Sequence, residues 1–124
     1  MFADCHTHSR VSPDSNAPMA EMAKQALQYG LDVMCLTDHC DLLSLEGERT
    51  LDYNWRAVLQ ERKLMLDAVG TRLDLPLGLE FGMAHLYPEA AEKILSQPGL
   101  DFVIGSCHNM DEKDGGRDFY LLTY

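Results

Sequence analysis

The stretch GLDVMCLTDHCD, residues 30–41, combines three features that indicate the fold class. It begins with a glycine, a residue that often follows a helix because it adopts positive φ without strain. The apolar run from Val33 to Leu36 is too short for a helix and predicts a buried strand. The polar residues Thr37, Asp38 and His39 then follow where that strand should end. A helix, a strand and a polar loop in this order are typical of α/β proteins.

The same unit recurs on both sides of this stretch. Other short apolar runs, each predicted to be a strand, extend from Phe2 to Cys5, from Leu75 to Leu79 and from Phe102 to Ile104. Amphipathic helices are predicted between them, and the alternation favours right-handed βαβ units with a mainly parallel sheet. The predicted helices are one with Asn16 as N-cap, Pro18 in its first turn and Gly30 after its end, one from Leu51 to Gly70, and one from Pro88 to Pro98.

Each predicted strand is followed by residues of the types that commonly bind metals in proteins. His6 and His8 are two positions apart, so on an extended chain their side chains point to the same side. His39, Glu80 and His108 follow the other strands. Because parallel strands end at one edge of the sheet, where α/β proteins build their sites, we expect these side chains to lie together.

A metal site is the interpretation that fits the whole set, although each residue alone has a simpler explanation. A lone His-x-His is often incidental, His39 alone could cap a turn, and Glu80 alone could be solvated. Together, imidazoles and carboxylates predict a hydrolytic site for Zn, Fe or Mn. His85 is predicted to be an ordinary surface residue, and Cys5 and Cys107 to be small buried residues facing the helices.

Composition limits the classes of function. The 124 residues suit a single domain, and 20 acidic against 10 basic residues give a net charge of −10. That balance argues against a nucleic-acid partner but allows a small phosphorylated substrate, because bound cations can reverse local polarity. No apolar run reaches the ~20 residues of a membrane span, and no secretory signal is visible, so we expect no membrane partner, a cytoplasmic protein and reduced cysteines.

The ordered motifs resemble those of the PHP superfamily of metal-dependent phosphoesterases. Within that family the chain is most similar to the histidinol phosphatases, which begin directly at the His-x-His strand. The resemblance covers nearly the whole chain. The motifs that carry it are Asp4-x-His6-x-His8-Ser9, Ser12-Pro13-Asp14, Gly30-Leu31, Thr37-Asp38-His39-x-Asp41, Glu80 and Gly105-Ser106-x-His108.

The resemblance implies a distorted seven-stranded parallel β/α barrel with two or three divalent ions at its carboxyl face. It also implies catalytic roles for His39 and Asp38, with Asp38 orienting an imidazole. Because the family pattern continues with another histidine and a late Asp-x-His pair, residues 1–124 are expected to be one PHP-type domain, incomplete at its C-terminus, with about four βα units. The implied metal ligands are His6, His8, Asp14, His39, Glu80 and His108.

The function implied by this resemblance is hydrolysis of L-histidinol phosphate, a step of histidine biosynthesis. Two alternatives stay open. One is a PHP phosphoesterase that acts on a nucleotide or oligonucleotide, and the other is a truncated, non-catalytic module that binds metal. An open barrel edge would also suit association with a second subunit.

Overall fold

The computed structural model describes residues 1–50, 53–111, 113 and 115–121. Strands and helices alternate along this part of the chain, as the sequence predicts. The strands are β1 (Ala3–Thr7), β2 (Val33–Leu36), β3 (His39–Asp41), β4 (Gly78–Gly82) and β5 (Phe102–Ser106), and the helices are α1 (Met19–Gln28), α2 (Trp55–Val69) and α3 (Pro88–Leu95).

Every pairing between these strands is parallel, which confirms the predicted sheet type. β1 pairs with β2, and β3, β4 and β5 pair in that order. Two single bridges, Val33 with Asp74 and Leu36 with Leu77, join β2 to the segment that leads into β4. The strands therefore lie side by side in chain order. β2 and β3 count as two successive segments of one strand position, between β1 and β4.

The sheet is curved, because its two outer strands face one cavity. Phe2 and Asp4 at β1 and Phe102 and Ile104 on β5 line the same open cavity of about 460 Å³. A curved wall of parallel strands in chain order agrees with part of a barrel. The closed seven-stranded barrel itself stays a prediction.

Several strand bounds differ from the prediction, since β1 covers Ala3–Thr7 and β5 extends to Ser106. The predicted third strand, Leu75 to Leu79, is wrong by three residues, since β4 starts at Gly78. Pro76 lies in the excluded part and has no N–H for a ladder, so this part makes only single bridges to β2. After β2, a polar turn at Thr37 and Asp38 leads into β3, a strand that was not predicted from the sequence.

The helices pack on the outside of the sheet. Met19, Ala23 and Ala26 of α1 are buried against α2 and β2, as the apolar stripe predicts. The predicted cap at Asn16 is wrong, since α1 starts at Met19 and Pro18 occupies the cap position without a side-chain hydrogen bond. Gly30 ends the helix at φ +77°, where Leu31 N donates to Ala26 O in a Schellman arrangement.

The second helix also starts later than predicted. Leu51 lies outside the described residues, and the side chain of Asn54 caps α2 by accepting from Ala57 N at 3.1 Å. The third helix begins at Pro88 as predicted. No helix among the described residues is long and apolar enough to cross a membrane.

The predicted burial of Cys5 and Cys107 is wrong, since both are exposed. Cys5 lies on β1 and Cys107 follows β5, and these are the outer strands of the sheet. The alternation of side chains along a strand predicts the face on which a residue lies, but not whether another element covers that face. Cys35 and Cys40, on β2 and β3, are buried.

Candidate metal centre

Histidine and carboxylate side chains from several segments converge near the carboxyl ends of the strands. β1 supplies His6, the loop after it supplies His8 and Asp14, and β4 supplies Glu80. β3 supplies His39 and Asp41, and the segment after β5 supplies His108. All the ligands predicted from the sequence are therefore near one another, although they come from positions as far apart as 6 and 108.

The carboxylate of Glu80 lies at the centre of the cluster. Its side chain is only 7% exposed, and its Oε2 lies 2.9 Å from His6 Nε2 and 3.0 Å from His8 Nε2. Its Oε1 lies 2.9 Å from His108 Nε2. The two oxygens thus face different imidazoles, which is the arrangement needed for a carboxylate that bridges two ion positions.

Asp14 closes the side of the cluster that faces solvent. Its side chain is about half exposed, and Oδ2 lies 3.1 Å from His8 Nδ1 and 3.5 Å from His39 Nε2. The rings of His8 and His39 are in edge contact, with centroids 4.5 Å apart. The loop after β1 therefore brings its carboxylate to the imidazole that begins β3.

Asp41 links two imidazoles and is the site residue to which the sequence analysis assigned no role. Its Oδ1 lies 2.9 Å from His108 Nδ1, and its Oδ2 lies 3.2 Å from His39 Nδ1. The signal was present in the spacing of His39 and Asp41, because residues two apart on a strand point to the same side. β3 itself was not predicted, so that argument could not be applied.

The charges in the cluster shift the pKa values of its members in opposite directions. The Asp41 carboxylate, as an acceptor and as a negative charge, raises the pKa of His39 to about 9 against the opposing effect of burial. Burial alone would raise the pKa of Glu80, but contacts with His6, His39 and His108 outweigh it and lower that pKa. For Asp14, burial is likewise outweighed by His8 and His39, and its pKa is lowered.

These donors fit divalent metal ions. Among the described residues, three overlapping groups have ligand atoms within 4.8 Å of one another. In the group His6, His8 and Glu80 the three ligand atoms are 2.9 to 3.1 Å apart, close to the ~3.3 Å between ligand atoms of a tetrahedral zinc site. His39 Nδ1 is buried, and although it lies 3.2 Å from Asp41 Oδ2 and 3.5 Å from Glu80 Oε2, neither contact has hydrogen-bond geometry, so this nitrogen fits a cation. The groups are His6, His8 and Glu80, then His8, Asp14 and His39, and then His39, Glu80 and His108.

Asp38 is not where the resemblance implied. It is fully buried, and its carboxylate accepts hydrogen bonds from the backbone N–H and hydroxyl of Ser9 and from the hydroxyl of Ser12. Among the described residues these donors include no imidazole, so Asp38 orients no imidazole through a direct hydrogen bond. His85 is exposed on a short turn outside the cluster, in agreement with its prediction as a surface residue.

The chain is similar in sequence to proteins named as histidinol phosphatases or probable histidinol phosphatases. A histidinol-phosphatase from Lactococcus lactis is 27% identical over 95% of this chain and 44% of its own length. A Deinococcus radiodurans protein named "Probable histidinol-phosphatase" is 29% identical over 98% of this chain and 54% of its own length.

A solved structure extends the likeness to the fold. Histidinol phosphate phosphatase from Lactococcus lactis, complexed with zinc, L-histidinol and phosphate, superposes with a TM-score of 0.73 at 29% identity, covering 90% of this chain and 41% of that one. The chain thus spans about half the length of the curated relatives it matches. The PHP domain model matches residues 4–123, nearly the whole sequence, and the chain therefore belongs to the PHP domain family.

Proposed function

We propose that this chain binds two or three divalent metal ions and hydrolyses a phosphomonoester. The observation that carries the proposal is the convergence of four imidazoles and three carboxylates at one end of a parallel sheet. Bound divalent ions would supply positive charge for the phosphate oxygens and the Lewis acidity that activates water near neutral pH. The proposed ligands are His6, His8, Asp14, His39, Glu80 and His108.

The residues of the chain have distinct roles in this proposal. Glu80 keeps the imidazoles in one arrangement through both of its oxygens, and Asp41 orients His39 and His108. In the ion-free site His39 holds a proton at neutral pH, because its pKa is raised to about 9. As a proposed ligand, His39 would exchange this proton for a cation. The catalytic role implied for Asp38 is not proposed, because Asp38 is fully buried.

L-Histidinol phosphate is the substrate that we propose. Its support is the activity named for both Lactococcus lactis and Deinococcus radiodurans relatives, together with the L-histidinol and phosphate bound in the solved structure. A nucleotide phosphoester remains the second substrate class, and the acidic balance of the chain disfavours it in polymeric form. Zinc is the first ion to test, since zinc is present in that solved structure.

The test combines metal content with turnover. Protein purified without chelator should contain at least two divalent ions per chain and hydrolyse histidinol phosphate in preference to nucleoside monophosphates. The double variant His6→Ala with His8→Ala should lose ions and turnover. His85→Ala is the matched control, because it removes an exposed histidine outside the cluster and should change neither quantity.

Each other outcome has a defined meaning. Preference for a nucleotide would favour the second substrate class, and metal binding without turnover of any phosphoester would favour a non-catalytic module. Well-folded protein that takes up no divalent ion would refute the proposal.

A further inference from the structure

A buried hydrogen-bond network adjoins the proposed metal ligands. The carboxylate of Asp38, which has no exposed surface, accepts from Ser9 N at 2.6 Å, from Ser9 Oγ at 2.7 Å and from Ser12 Oγ at 2.9 Å. Ser12 Oγ in turn accepts from His39 N at 2.9 Å, and Ser9 Oγ accepts from Val11 N at 3.0 Å. Ser9 and Ser12 are also buried.

The network joins the backbone segments that carry one group of proposed ligands. Ser9 directly follows His8, Ser12 lies two residues before Asp14, and Asp38 directly precedes His39. His8, Asp14 and His39 form one of the groups whose ligand atoms lie close together. Asp38 ties the loop after β1 to the start of β3 through Ser9 and Ser12, and the Ser12 hydroxyl adds a direct hydrogen bond to His39 N.

The strength of these contacts suits such a role. Hydrogen bonds to an ionised acceptor are shorter and about twice as strong as neutral ones. A buried carboxylate is costly unless its oxygens are satisfied, and three donors satisfy this one. Asp38 thus places a carboxylate where an apolar residue could fill the core. The hydrogen bonds that this carboxylate accepts come from Ser9 and Ser12 in the loop after β1.

We propose that Asp38 is a positioning residue, which holds the loop of residues 9–14 against β3 so that His8, Asp14 and His39 converge. This inference rests on the proposed function, in which those three residues bind an ion. Asp38 does not touch substrate in this proposal. It acts through Ser9 and Ser12 on the backbone of the ligands.

Removal of the carboxylate should separate the ligands without unfolding the sheet. In chelator-treated Asp38→Ala, the nuclear Overhauser contact between the rings of His8 and His39, whose centroids are 4.5 Å apart, should disappear. Zinc affinity should fall about 10- to 100-fold, as for other residues that orient metal ligands. Asp38→Asn should give intermediate values, because its carbonyl oxygen can still accept from Ser9 N and Ser12 Oγ while its amide cannot accept from Ser9 Oγ.

Two further variants complete the design. Ser12→Ala removes only the bridge from Asp38 to His39 N and should weaken the same ring contact, which keeps the test valid if Asp38→Ala does not fold. Ser96→Ala is the matched control, since its hydroxyl donates only to Lys93 O at the end of α3 and its loss should leave ring contact and zinc affinity unchanged.

The outcomes separate this inference from the proposed function. An intact ring contact in folded Asp38→Ala and Ser12→Ala would overturn the positioning role, whether or not zinc affinity changes. Should the unmodified chain take up no zinc, the proposed function fails, and the ring contact in the ion-free protein still decides the inference.

Discussion

At the scale of single residues, the chemistry of a buried carboxylate near the site depends on its hydrogen-bond partners. Asp38 and Glu80 are both carboxylates with little exposed surface, yet one accepts from hydroxyl and backbone donors and the other faces imidazoles. The difference gives them different chemistry. Asp38 has satisfied oxygens and no route to solvent, whereas the contacts of Glu80 are with rings that can exchange a proton for a cation.

The Asp41 carboxylate has a measurable effect on its neighbour. In the ion-free protein Asp41 makes the largest contribution, ahead of the charges of Glu80 and Asp14, to raising the pKa of His39 from an ordinary value of 6.5 to about 9, so the imidazole is protonated at neutral pH. We predict that Asp41→Asn lowers this pKa, because the amide removes both the negative charge and the charged acceptor. Titration of the ring proton of His39 by NMR in chelator-treated protein measures the change.

The sign of that change also has a consequence for metal uptake. A proton on His39 competes with a cation, so the ion-free Asp41→Asn protein should release fewer protons than the unmodified protein when zinc is added at pH 7.5. Asp67→Asn, which removes an exposed carboxylate on α2, serves as control. An unchanged His39 pKa in Asp41→Asn would show that Asp41 is not the source of the shift.

At the scale of elements, the lack of a side chain at one glycine of β4 allows β5 and the turn after β2 to approach closely. A Cβ at Gly78, the first residue of β4, would lie 2.9 Å from Thr37 Cγ2 and 3.0 Å from Phe102 O. The second of these atoms belongs to the backbone of β5 and cannot rotate away. β4 therefore accepts no side chain at this position while it keeps its place beside β5.

This crowding predicts a loss of stability in Gly78→Ala of about 1–3 kcal/mol, the usual range for overpacking. Gly105→Ala is the matched control, because that glycine is also in a strand and a Cβ there would meet nothing within 4 Å. Urea denaturation followed by circular dichroism gives both free energies of unfolding. Equal values for the two variants would mean that the strands can separate slightly at little cost.

The elements also show what local sequence patterns can and cannot predict. The run from Val33 to Leu36 predicted β2 correctly, since a short apolar segment between polar turns leaves few alternatives. The short strand His39–Asp41 was missed because its residues are polar, and its pairing with Glu80 is a long-range contact that local pattern does not encode. The residues proposed as ligands lie close together, as expected from parallel strands that end at one edge. The roles of Asp38 and Asp41 depend on side-chain partners, which that rule does not specify.

At the scale of the whole molecule, the proposed metal centre joins β1 to the segment after β5, and β1 and β5 do not pair with each other. His6 lies on an outer strand, and no strand pairs with its free side among the described residues. His108 follows the other outer strand. The two sides of the curved sheet thus meet at Glu80, which contacts both imidazoles. A cation bound there would hold the wall of strands together from within.

Ion binding should therefore stabilise the fold and not only the site. Because a preformed ligand set is absent from the unfolded chain, binding energy adds to the free energy of unfolding. We predict that zinc at 100 times its dissociation constant raises that free energy by about 2.7 kcal/mol for each occupied site. Thermal and urea denaturation, with and without chelator, measure the increment.

The double variant His6→Ala with His8→Ala separates this effect from general ionic effects. With a net charge of −10, the chain would gain some stability from any added cation through screening, and that gain should persist in the variant. The increment that depends on zinc should become smaller, because, of the three groups formed by described residues, only His39, Glu80 and His108 keeps all its members, while salt at equal ionic strength should act alike on both proteins. If zinc stabilises the variant as strongly as the unmodified chain, the ions do not bind at this centre, and the strands must be held together by their backbone pairing and the helices outside them.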